Sequence, residues 1–290
     1  MLAYAREMAT VGIVVVTYRS AATIAACLQS LRKASATAVQ IVVVDNASND
    51  PSAQRAERNG ANLVIRRRDN GGYGRACNEG VGAFRGNIDV VVFANPDTVW
   101  SEGSIDALMA RLDDSAVGLV SPLLLGTDSA PQAMVEDDLS LGRTLRGMTR
   151  LSKPVRPRAP VVHGNALIDV DWLHPAAAVV PMPVVRAIGG FDERFFLFAE
   201  DADFCRRIRE IGKRVVIDPT VTVEHIGGAS FDAAHTADEV AALRTRALAT
   251  YLDKHQGALA RRTFGAVGTV VYGLARHRGQ AREAWKAATR

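Results

Sequence analysis

Two carboxylates stand at the ends of two runs of small apolar residues. Asp45 ends the run that begins at Val42, and Asp97 closes the segment Phe93–Asp97. In open α/β sheets, ligands bind beyond the carboxyl ends of strands, so residues there are the first candidates for binding. A carboxylate at the first position can accept hydrogen bonds from a base edge or a ribose, and one at the second can hold a divalent cation on a diphosphate. Each is also explained by a turn in which the side chain binds local backbone amides.

A glycine-rich segment, Asp69–Gly80, leads from a turn into a predicted helix. Its glycines permit close approach of the backbone to a ligand, and the start of a helix favours an anion. The spacing fits neither a P-loop nor a dinucleotide fingerprint. The segment is either a nucleoside or phosphate contact, or a tight turn with close helix packing.

Three acids, Glu200, Asp201 and Asp203, follow the aromatic run Phe195–Phe198 at the start of another predicted helix. Acids at this position most often cap the helix and complement its dipole. The same geometry suits catalysis, because a carboxylate on a rigid element that faces a cleft can take a proton from an attacking hydroxyl. Both interpretations stay open.

The histidine and cysteine spacings carry less information. His225 precedes Gly227 and Gly228, and a lone histidine is more often structural than a ligand. The three cysteines are odd in number and form no paired CxxC motif, so neither a disulfide framework nor a thiolate zinc site is supported. A reducing, cytosolic compartment fits this pattern.

The elements that must position these residues alternate in the first half of the chain between β-branched runs and polar, helix-compatible stretches. This alternation predicts an α/β fold with a mostly parallel sheet and helices on both faces, because the strands are continuous apolar runs. The predicted strands are Val11–Thr17, Gln40–Asp45, Asn62–Arg66 and Asp89–Asn95, and the predicted helices are Ala21–Lys33, Pro51–Asn59, Tyr73–Phe84 and Ser101–Asp113.

The second half is less regular. Periodicity fades over Thr127–Gly164, where prolines and cations alternate, and we expect a mobile or extended connection there. An apolar run at Ala176–Met182 follows. The remaining predicted elements are a helix at Asp201–Ile211, a strand at Arg214–Ile217 and a helix at Asp238–Lys254.

Bulk composition limits the partners. The 290 residues carry 35 Lys and Arg against 31 Asp and Glu, a net charge of +4 that does not imply a nucleic-acid partner. The apolar run after Thr10 is too short for a signal peptide or a membrane span. The apolar segment Thr263–Ala275 is flanked by cations, so it either lies on an anionic membrane surface or packs as an ordinary helix.

In chain order, seven motifs resemble the inverting family-2 glycosyltransferases, particularly their rhamnosyltransferase-like branch. One such motif would be weak evidence, but seven in the expected order are specific. They are Val15–Tyr18, Val44–Ser48, Asn70–Gly74, Asn95–Asp97, Gly189–Phe196, Glu200–Asp203 and His225.

The resemblance implies a GT-A fold with a nucleotide-sugar-binding half (10–125) and an acceptor-binding and catalytic half (126–235). The apolar and basic composition near the C-terminus adds the expectation of a helical, membrane-associating segment (236–290). It also implies the roles of individual residues. Asp201 is the general base and Glu200 orients it. Asp97 and His225 hold Mg²⁺ or Mn²⁺. The implied donor-binding residues are Thr17, Tyr18, Asp45, Asn70, Gly72, Asn95 and Asp97, and the implied acceptor-binding residues are Trp172, His174, Phe191 and Asp192.

The implied reaction is a direct displacement that inverts the anomeric carbon. Its donor is a nucleoside-diphosphate sugar, with dTDP-rhamnose preferred over another UDP- or dTDP-hexose or a galactofuranose donor. The basic and apolar C-terminal segment predicts that the acceptor is a lipid-linked saccharide or glycolipid of the bacterial cell envelope. These partners place the protein in the cytoplasm, peripheral at the inner face of the plasma membrane.

Two positions depart from the family pattern. Asn95–Asp97 supplies one carboxylate where many relatives carry two, so we expect metal affinity to depend on the diphosphate. Trp172–Ala177 lacks the glycine expected after the tryptophan.

Two other classes stay open as alternatives. A sugar nucleotidyltransferase is disfavoured because Val16–Ser20 is not a basic glycine-rich loop. A catalytically silent nucleotide-sugar-binding protein is disfavoured because Asp45, Asp97, Glu200 and Asp201 occur together.

Overall fold

The computed structural model describes residues 9–148, 158–174, 176–227, 236–274 and 277–289. The strands are β1 (Val11–Thr17), β2 (Val39–Asp45), β3 (Leu63–Arg66), β4 (Val90–Ala94), β5 (Thr98–Trp100), β6 (Val117–Leu125), β7 (Val135–Glu136), β8 (Ile168–Asp169), β9 (Trp172–Leu173), β10 (Ala177–Pro181) and β11 (Arg214–His225). The helices are α1 (Ile24–Lys33), α2 (Ser52–Arg58), α3 (Tyr73–Gly82), α4 (Ser104–Met109), α5 (Leu141–Met148), α6 (Met182–Ile188), α7 (Glu200–Glu210), α8 (Ala237–Leu274) and α9 (Arg278–Thr289).

Most of the described strands form one sheet in the order β3-β2-β1-β4-β10-β6-β11-β5, with β8 also paired to β11. Strands β1, β2, β3 and β4 are parallel, and β6 and β11 are parallel to each other. Antiparallel β10 lies between these two groups. Six of the nine strands described in this sheet therefore run in one direction, and the predicted α/β class is confirmed.

The parallel group was well predicted from the sequence. Every residue of β1 and of β4 is buried, as expected for strands covered on both faces. Helices α1, α2 and α3 begin within three residues of their predicted starts. These crossovers bring the carboxyl ends of β1, β2 and β4 to one edge of the sheet, so the residues that follow them meet there.

Strand β10 connects the second half of the chain to the same edge. It runs antiparallel to β4 with Ala177 opposite Ala94, so it begins where β4 ends. The backbone N–H of Asn95 donates to the carbonyl of Ala176 at 2.7 Å. The residues just before β10 consequently lie beside the residues just after β4.

The structure differs from the predicted elements in three places after α4. Strand β6 was not predicted, and the strand expected at Arg214–Ile217 continues to His225 past a register shift between Asp218 and Thr222. The stretch 127–164, expected to lack regular structure, contains β7 and α5. The part of that expectation that falls on 149–157 lies outside the described residues.

The C-terminal helices form a small core of their own against the sheet domain. Helix α8 is interrupted at Gly257, whose φ of 85° is not helical, and α9 returns along it. Ala249, Leu252 and Phe264 lie in this second core. Among the described residues, no helix is long and apolar enough to cross a membrane. The boundaries 10–125, 126–235 and 236–290 stay predictions.

Candidate active site

A cavity of about 190 Å³ opens at the carboxyl ends of β1, β2 and β4. It brings together five of the seven predicted donor-binding residues, and it adds residues from the loop before α7. Its lining consists of Val16, Tyr18, Ser20, Asn46, Asn70, Gly72, Tyr73, Asn95, Pro96, Asp97, Phe196 and Leu197.

The other two predicted donor residues, Thr17 and Asp45, are buried and outside the cavity lining. The Thr17 hydroxyl donates to Asp45 Oδ1 at 2.8 Å. Ser48 donates to the same carboxylate from its hydroxyl at 2.6 Å and from its backbone N–H at 3.1 Å. The structure therefore holds Asp45 rigidly at the end of β2, as a turn-forming aspartate, and its contact with a base stays a prediction.

Asn46, which the sequence analysis did not single out, lines the cavity instead. Its Nδ2 donates to the carbonyl of Gly72 at 3.1 Å. Its Oδ1 is buried and has no hydrogen-bond partner among the described residues. A buried acceptor without a donor is costly, so this oxygen is suited to receive a hydrogen bond from a ligand.

Gly72 joins two of the loops that build the cavity. It has a φ of 90°, and a Cβ at this position would lie 2.2 Å from the carbonyl oxygen of Phe196. The next residue, Tyr73, donates its backbone N–H to that same oxygen at 3.1 Å. Asn70 Oδ1 accepts from the backbone N–H of Gly72 at 3.0 Å. Only glycine fits this junction, because both the left-handed φ and the contact exclude a side chain.

The predicted metal-binding pair is brought together. His225, at the end of β11, places Nε2 3.4 Å from Oδ1 of Asp97. Within the described part of the chain, no group of three or more histidine, cysteine or acidic side chains is arranged to hold a metal. Asp97 and His225 thus offer one carboxylate and one imidazole, groups that suit Mn²⁺ and Mg²⁺, and their binding of an ion stays a prediction.

Gln132 determines the tautomer of His225. Its Nε2 donates to the backbone carbonyl of His225 at 2.7 Å, so its Oε1 is the atom that faces the ring at 2.8 Å. An amide oxygen only accepts, so Nδ1 of His225 must carry the proton. In the neutral ring, Nε2 then presents a lone pair toward the Asp97 carboxylate. Two acceptors that face each other fit a cation between them, so these residues suit a metal ion.

An acid pair opens helix α7 beside the cavity. The positive φ angles of Phe198 (69°) and Ala199 (61°) are unusual for residues with side chains and mark a strained turn before the helix. Burial, and then the charge of Asp201, raise the pKa of Glu200 to about 8. Oε2 of Glu200 has no hydrogen-bond partner among the described residues. Glu200 is consequently protonated near neutral pH.

Asp201 is bound to a residue predicted to contact the acceptor. Its Oδ2 lies 2.7 Å from Nδ1 of His174, and its Oδ1 accepts the backbone N–H of Ala202 at 2.8 Å. Trp172 packs edge-on against the His174 ring at 4.9 Å, and it donates its indole N–H to the carbonyl of Asp137. Trp172 is buried, so its role here is to support His174.

Tyr73 connects the cavity to the acid pair. Its ring lies in the cavity lining. Burial, Cys77 and then the charges of Glu200 and Asp201 raise the pKa of its phenol well above the usual value. Tyr73 thus lines the cavity and lies close enough to Glu200 and Asp201 for their charges to affect its phenol.

The family is established by sequence comparison. Residues 12–173 match the model of the family described as "Glycosyl transferase family 2", which is more than half of the chain. The chain belongs to glycosyltransferase family 2. It is 30% identical, over 84% of its length and 85% of the relative's, to the N-acetylglucosaminyl-diphospho-decaprenol L-rhamnosyltransferase of Mycobacterium tuberculosis.

Solved structures agree on the fold of this family-2 glycosyltransferase. The mannosyltransferase of Pyrobaculum calidifontis in complex with GDP-Man and Mn²⁺ aligns with a TM-score of 0.57 at 18% identity, covering 96% of this chain and 73% of the other. S. aureus TarS 1–349 in complex with UDP-GlcNAc aligns with a TM-score of 0.56 at 17% identity, covering 96% and 90%. The predicted GT-A fold is confirmed.

Two predicted acceptor residues of the glycosyltransferase are structural in this conformation. Phe191 is 3% exposed and stacks on Phe204, with ring centroids 4.2 Å apart. Asp192 binds Arg194 and Lys254, and the Arg194 guanidinium is the main cause of its lowered pKa. Neither side chain reaches the cavity lining, and their contact with an acceptor stays a prediction without geometric support.

Asp203, the third acid of the glycosyltransferase's α7 motif, anchors the C-terminal helices. It is fully buried and pairs with Arg207 on its own helix and with Lys254 and His255 on α8. Arg244, also on α8, lies 4.7 Å from the ring centroid of Phe198 in the strained turn. The sequence signal for this anchor was weak, because Lys254 and His255 lie far along the chain in a helix without motifs.

Proposed function

We propose that this family-2 glycosyltransferase transfers a hexose from a nucleoside diphosphate to a hydroxyl of a lipid-linked saccharide or glycolipid, with inversion and with dTDP-rhamnose as the preferred donor. The observation that carries the proposal is one cavity with both kinds of group next to its lining residues. Asp97 lines the cavity and lies 3.4 Å from His225, and Tyr73, which also lines it, lies close enough to Glu200 and Asp201 for their charges to raise its pKa. The printed name of the mycobacterial relative supports rhamnose and a decaprenol-linked acceptor.

The donor nucleoside binds in the cavity beside Tyr18, Asn46, Asn70 and Gly72. Asn46 Oδ1 offers an unused acceptor to a base or ribose donor. Asp45 Oδ2 accepts one hydrogen bond, from Ser48, and has a lone pair left for a pyrimidine N–H. The two strand-end loops contain residues with positive φ, Arg19 at 54° and Ala47 at 60°.

The diphosphate is held at the other end of the cavity, near Asn95 and Asp97. Asp97 and His225 would bind Mg²⁺ or Mn²⁺, which neutralises the negative charge that develops on the leaving diphosphate. Structures of fold relatives were solved with Mn²⁺, which supports a divalent ion. Because the chain offers one carboxylate and one imidazole, affinity for the ion depends on the diphosphate as a further ligand.

The acceptor hydroxyl loses its proton at the Asp201 side of the site. Glu200 is neutral near pH 7, and Asp201 lies within hydrogen-bonding distance of His174. The acceptor oxygen attacks the anomeric carbon on the face opposite the diphosphate, and configuration inverts. No covalent sugar intermediate is required, so a single proton acceptor suffices.

The C-terminal helices supply the contact with the membrane that a lipid-linked acceptor requires. Leu259 and Leu274 are 79% and 83% exposed, and Trp285 is also exposed. Exposed cations, including Arg262 and Arg282, lie on the same helices. Apolar anchors combined with cations bind anionic bilayers peripherally. Sedimentation with phosphatidylglycerol vesicles but not phosphatidylcholine vesicles is expected, and a protein that stays in the supernatant with both would remove this part of the proposal.

The donor site is tested by calorimetric titration of a panel of nucleoside-diphosphate sugars, each with and without Mn²⁺. We expect one donor to bind in a metal-dependent way, and Asp97→Ala to abolish that dependence. Glu102→Ala, which removes an exposed carboxylate in the turn before α4, is the matched control and should bind like wild type. Transfer to a polyprenyl-diphosphate-linked N-acetylglucosamine is then assayed with the donor found. Absence of binding by every donor would refute the proposal.

A further inference from the structure

The turn before α7 links the donor cavity to the acid pair. Leu197 lines the cavity, and the acid pair begins at Glu200. Phe198, between them in the chain, is in contact with α8: the guanidinium carbon of Arg244 lies 4.7 Å from the centroid of its ring. Arg244 is therefore a cation of the C-terminal helices that reaches the part of the site where donor and acceptor meet.

Arg244 differs from the cations around it because it has no acid as a partner. It is exposed, and within the part of the chain that the structure describes no carboxylate lies within salt-bridge distance of it. A contact with one ring leaves most of the five N–H donors of a guanidinium available to a ligand. The other arginines and the lysine of α7 and of residues 237–256 are paired with acids; they are Arg206, Arg207, Arg209, Arg246 and Lys254.

The two halves of α8 lie antiparallel, so the second half returns toward Arg244. Just after the break in the helix, Arg261 donates to Asp253 at 2.8 Å. Further along, burial raises the pKa of the Tyr272 phenol, and a hydrogen bond with the Thr245 side chain partly opposes this. Residues near Tyr272 therefore lie beside residues near Thr245, at the end of the helix pair that also carries Arg244.

Exposed apolar side chains lie at this same end of the helix pair. Val270 and Leu274, which flank Tyr272 in the chain, are 60% and 83% exposed. Exposed apolar side chains next to polar ones mark a surface for an apolar ligand or a membrane. Three kinds of group thus follow one another here: the acid pair, an unpaired guanidinium and exposed aliphatic side chains.

We propose that Arg244 binds the diphosphate of a prenyl-diphosphate-linked acceptor and that the prenyl chain leaves the site over Val270 and Leu274. This proposal rests on the proposed function. Such an acceptor has three parts in the matching order: a sugar with the reacting hydroxyl, a negatively charged diphosphate and an apolar chain. The planar fork of a guanidinium suits two phosphate oxygens at once. The sugar then lies at the acid pair while its diphosphate is held by α8.

The deciding experiment measures transfer by the full-length protein and by Arg244→Gln to a soluble acceptor, N-acetylglucosamine joined through a diphosphate to a short prenyl chain. The variant loses charge-assisted hydrogen bonds to the diphosphate, so the KM for this acceptor should rise about 10- to 100-fold. The kcat and the donor Kd should not change, because these bonds are the same in the ground state and the transition state. Salt should raise the KM of wild type more steeply than that of Arg244→Gln.

Two further variants and one further measurement complete the test. Arg244→Lys keeps the charge but not the planar fork, so its KM should fall between those of Arg244→Gln and wild type. Arg58→Gln removes an exposed arginine at the end of α2 and should behave like wild type. Arg244→Gln should sediment with phosphatidylglycerol vesicles as wild type does, because the ligand is the acceptor and not a bilayer headgroup.

An Arg244→Gln protein whose acceptor KM stays within about threefold of wild type would overturn the proposal, and loss of vesicle binding alongside would assign Arg244 to a bilayer headgroup. A raised KM that depends on salt as steeply as in wild type would overturn it as well, because Arg244 would then act only by supporting Phe198. Both results require a wild-type protein that transfers sugar. A wild type without transfer from any donor would instead refute the proposed function, so the two failures are distinguishable.

Discussion

The two halves of the site are built by different means. In residues 10–125, the cavity is shaped mainly by strand ends, a glycine and short-range hydrogen bonds such as those from Ser48 to Asp45. In residues 126–235, the functional groups are held by side-chain pairs between segments far apart in sequence, such as His174 with Asp201 and Gln132 with His225. The first half is thus a shaped backbone, and the second half is a set of coupled ionisable and polar groups. Substitutions in the first half should therefore have effects of the same size at every pH. The effects of substitutions in the second half should vary with pH, because protonation changes the groups there.

The largest effect is expected from Gly72→Ala, which tests the first half of the site through donor affinity. The added Cβ would lie 2.2 Å from the Phe196 carbonyl, so the loop before α7 must move away from the cavity. We expect donor binding to weaken about 100-fold at every pH between 6 and 9, as measured by calorimetry. Gly82→Ala, where a Cβ meets nothing within 4 Å, is the matched control. A weakening that varied with pH would break the contrast between the halves.

An intermediate effect is expected from Gln132→Leu, which removes the acceptor that keeps the proton on Nδ1 of His225. The proton of the neutral ring can then move to Nε2, where it removes the lone pair that would bind a metal. Metal affinity should therefore fall about 10-fold. The readout is Mn²⁺ binding by electron paramagnetic resonance in the presence of the nucleoside diphosphate, with the imidazole tautomer followed by ¹⁵N NMR. Gln29→Leu on α1, where the side chain binds Asn59, serves as the control. Unchanged Mn²⁺ affinity together with a changed tautomer would show that the tautomer does not matter to the ion.

The smallest effect is expected on stability, from Glu200→Gln. Burial raises the pKa of Glu200 from its ordinary value of 4.5 to about 8, so the folded state favours the protonated acid. This contribution to stability is fully present below pH 4.5 and is lost as the pH rises through 8. Glutamine stays neutral, so the variant should melt about 5 °C higher than wild type at pH 9 and nearly the same at pH 5.

Calorimetric melting of wild type, Glu200→Gln and Glu102→Gln across this pH range checks the prediction. The exposed Glu102 should give no pH-dependent difference. A constant difference between Glu200→Gln and wild type at all pH values would mean that the proton on Glu200 is not linked to folding.

The contrast also explains which features the sequence predicted. Tyr18, Asn70, Gly72, Asn95 and Asp97 were found because strand ends and glycine turns are local patterns, and the sheet brings such ends together. Their proximity in one cavity is therefore a consequence of the α/β alternation.

Pairs between distant segments have no such local pattern. Gln132 and His225 lie 93 residues apart, and nothing near Gln132 marks it as a partner of a histidine. The contact of His174 with Asp201 was likewise missed, although both residues were named. Asn46 was overlooked because Asp45 beside it carries the charge, whereas burial of its amide oxygen is visible only in three dimensions.

The errors in secondary structure have physical causes. Strand β6 contains Pro122, which cannot donate to a ladder and is tolerated here because β11 shifts register opposite it. Helix α5 contains Gly142 and Gly147, which lower its helix propensity, but Leu141 and Met148 pack into the core of the C-terminal helices. In both cases tertiary contacts override the local preference.

The pairing of Asp203 with Lys254 and His255 has a consequence for how such a protein can change over time. A chain shortened to end before α8 would remove two of the three cations that pair with Asp203, in the helix that carries the acid pair. It would also remove Ala247 and Tyr251 from the core of the sheet domain. Descendants of this chain that lose the proposed membrane binding should therefore do so by substitution of exposed residues such as Leu274 and Trp285. Deletion of the helices that carry these residues should be rarer.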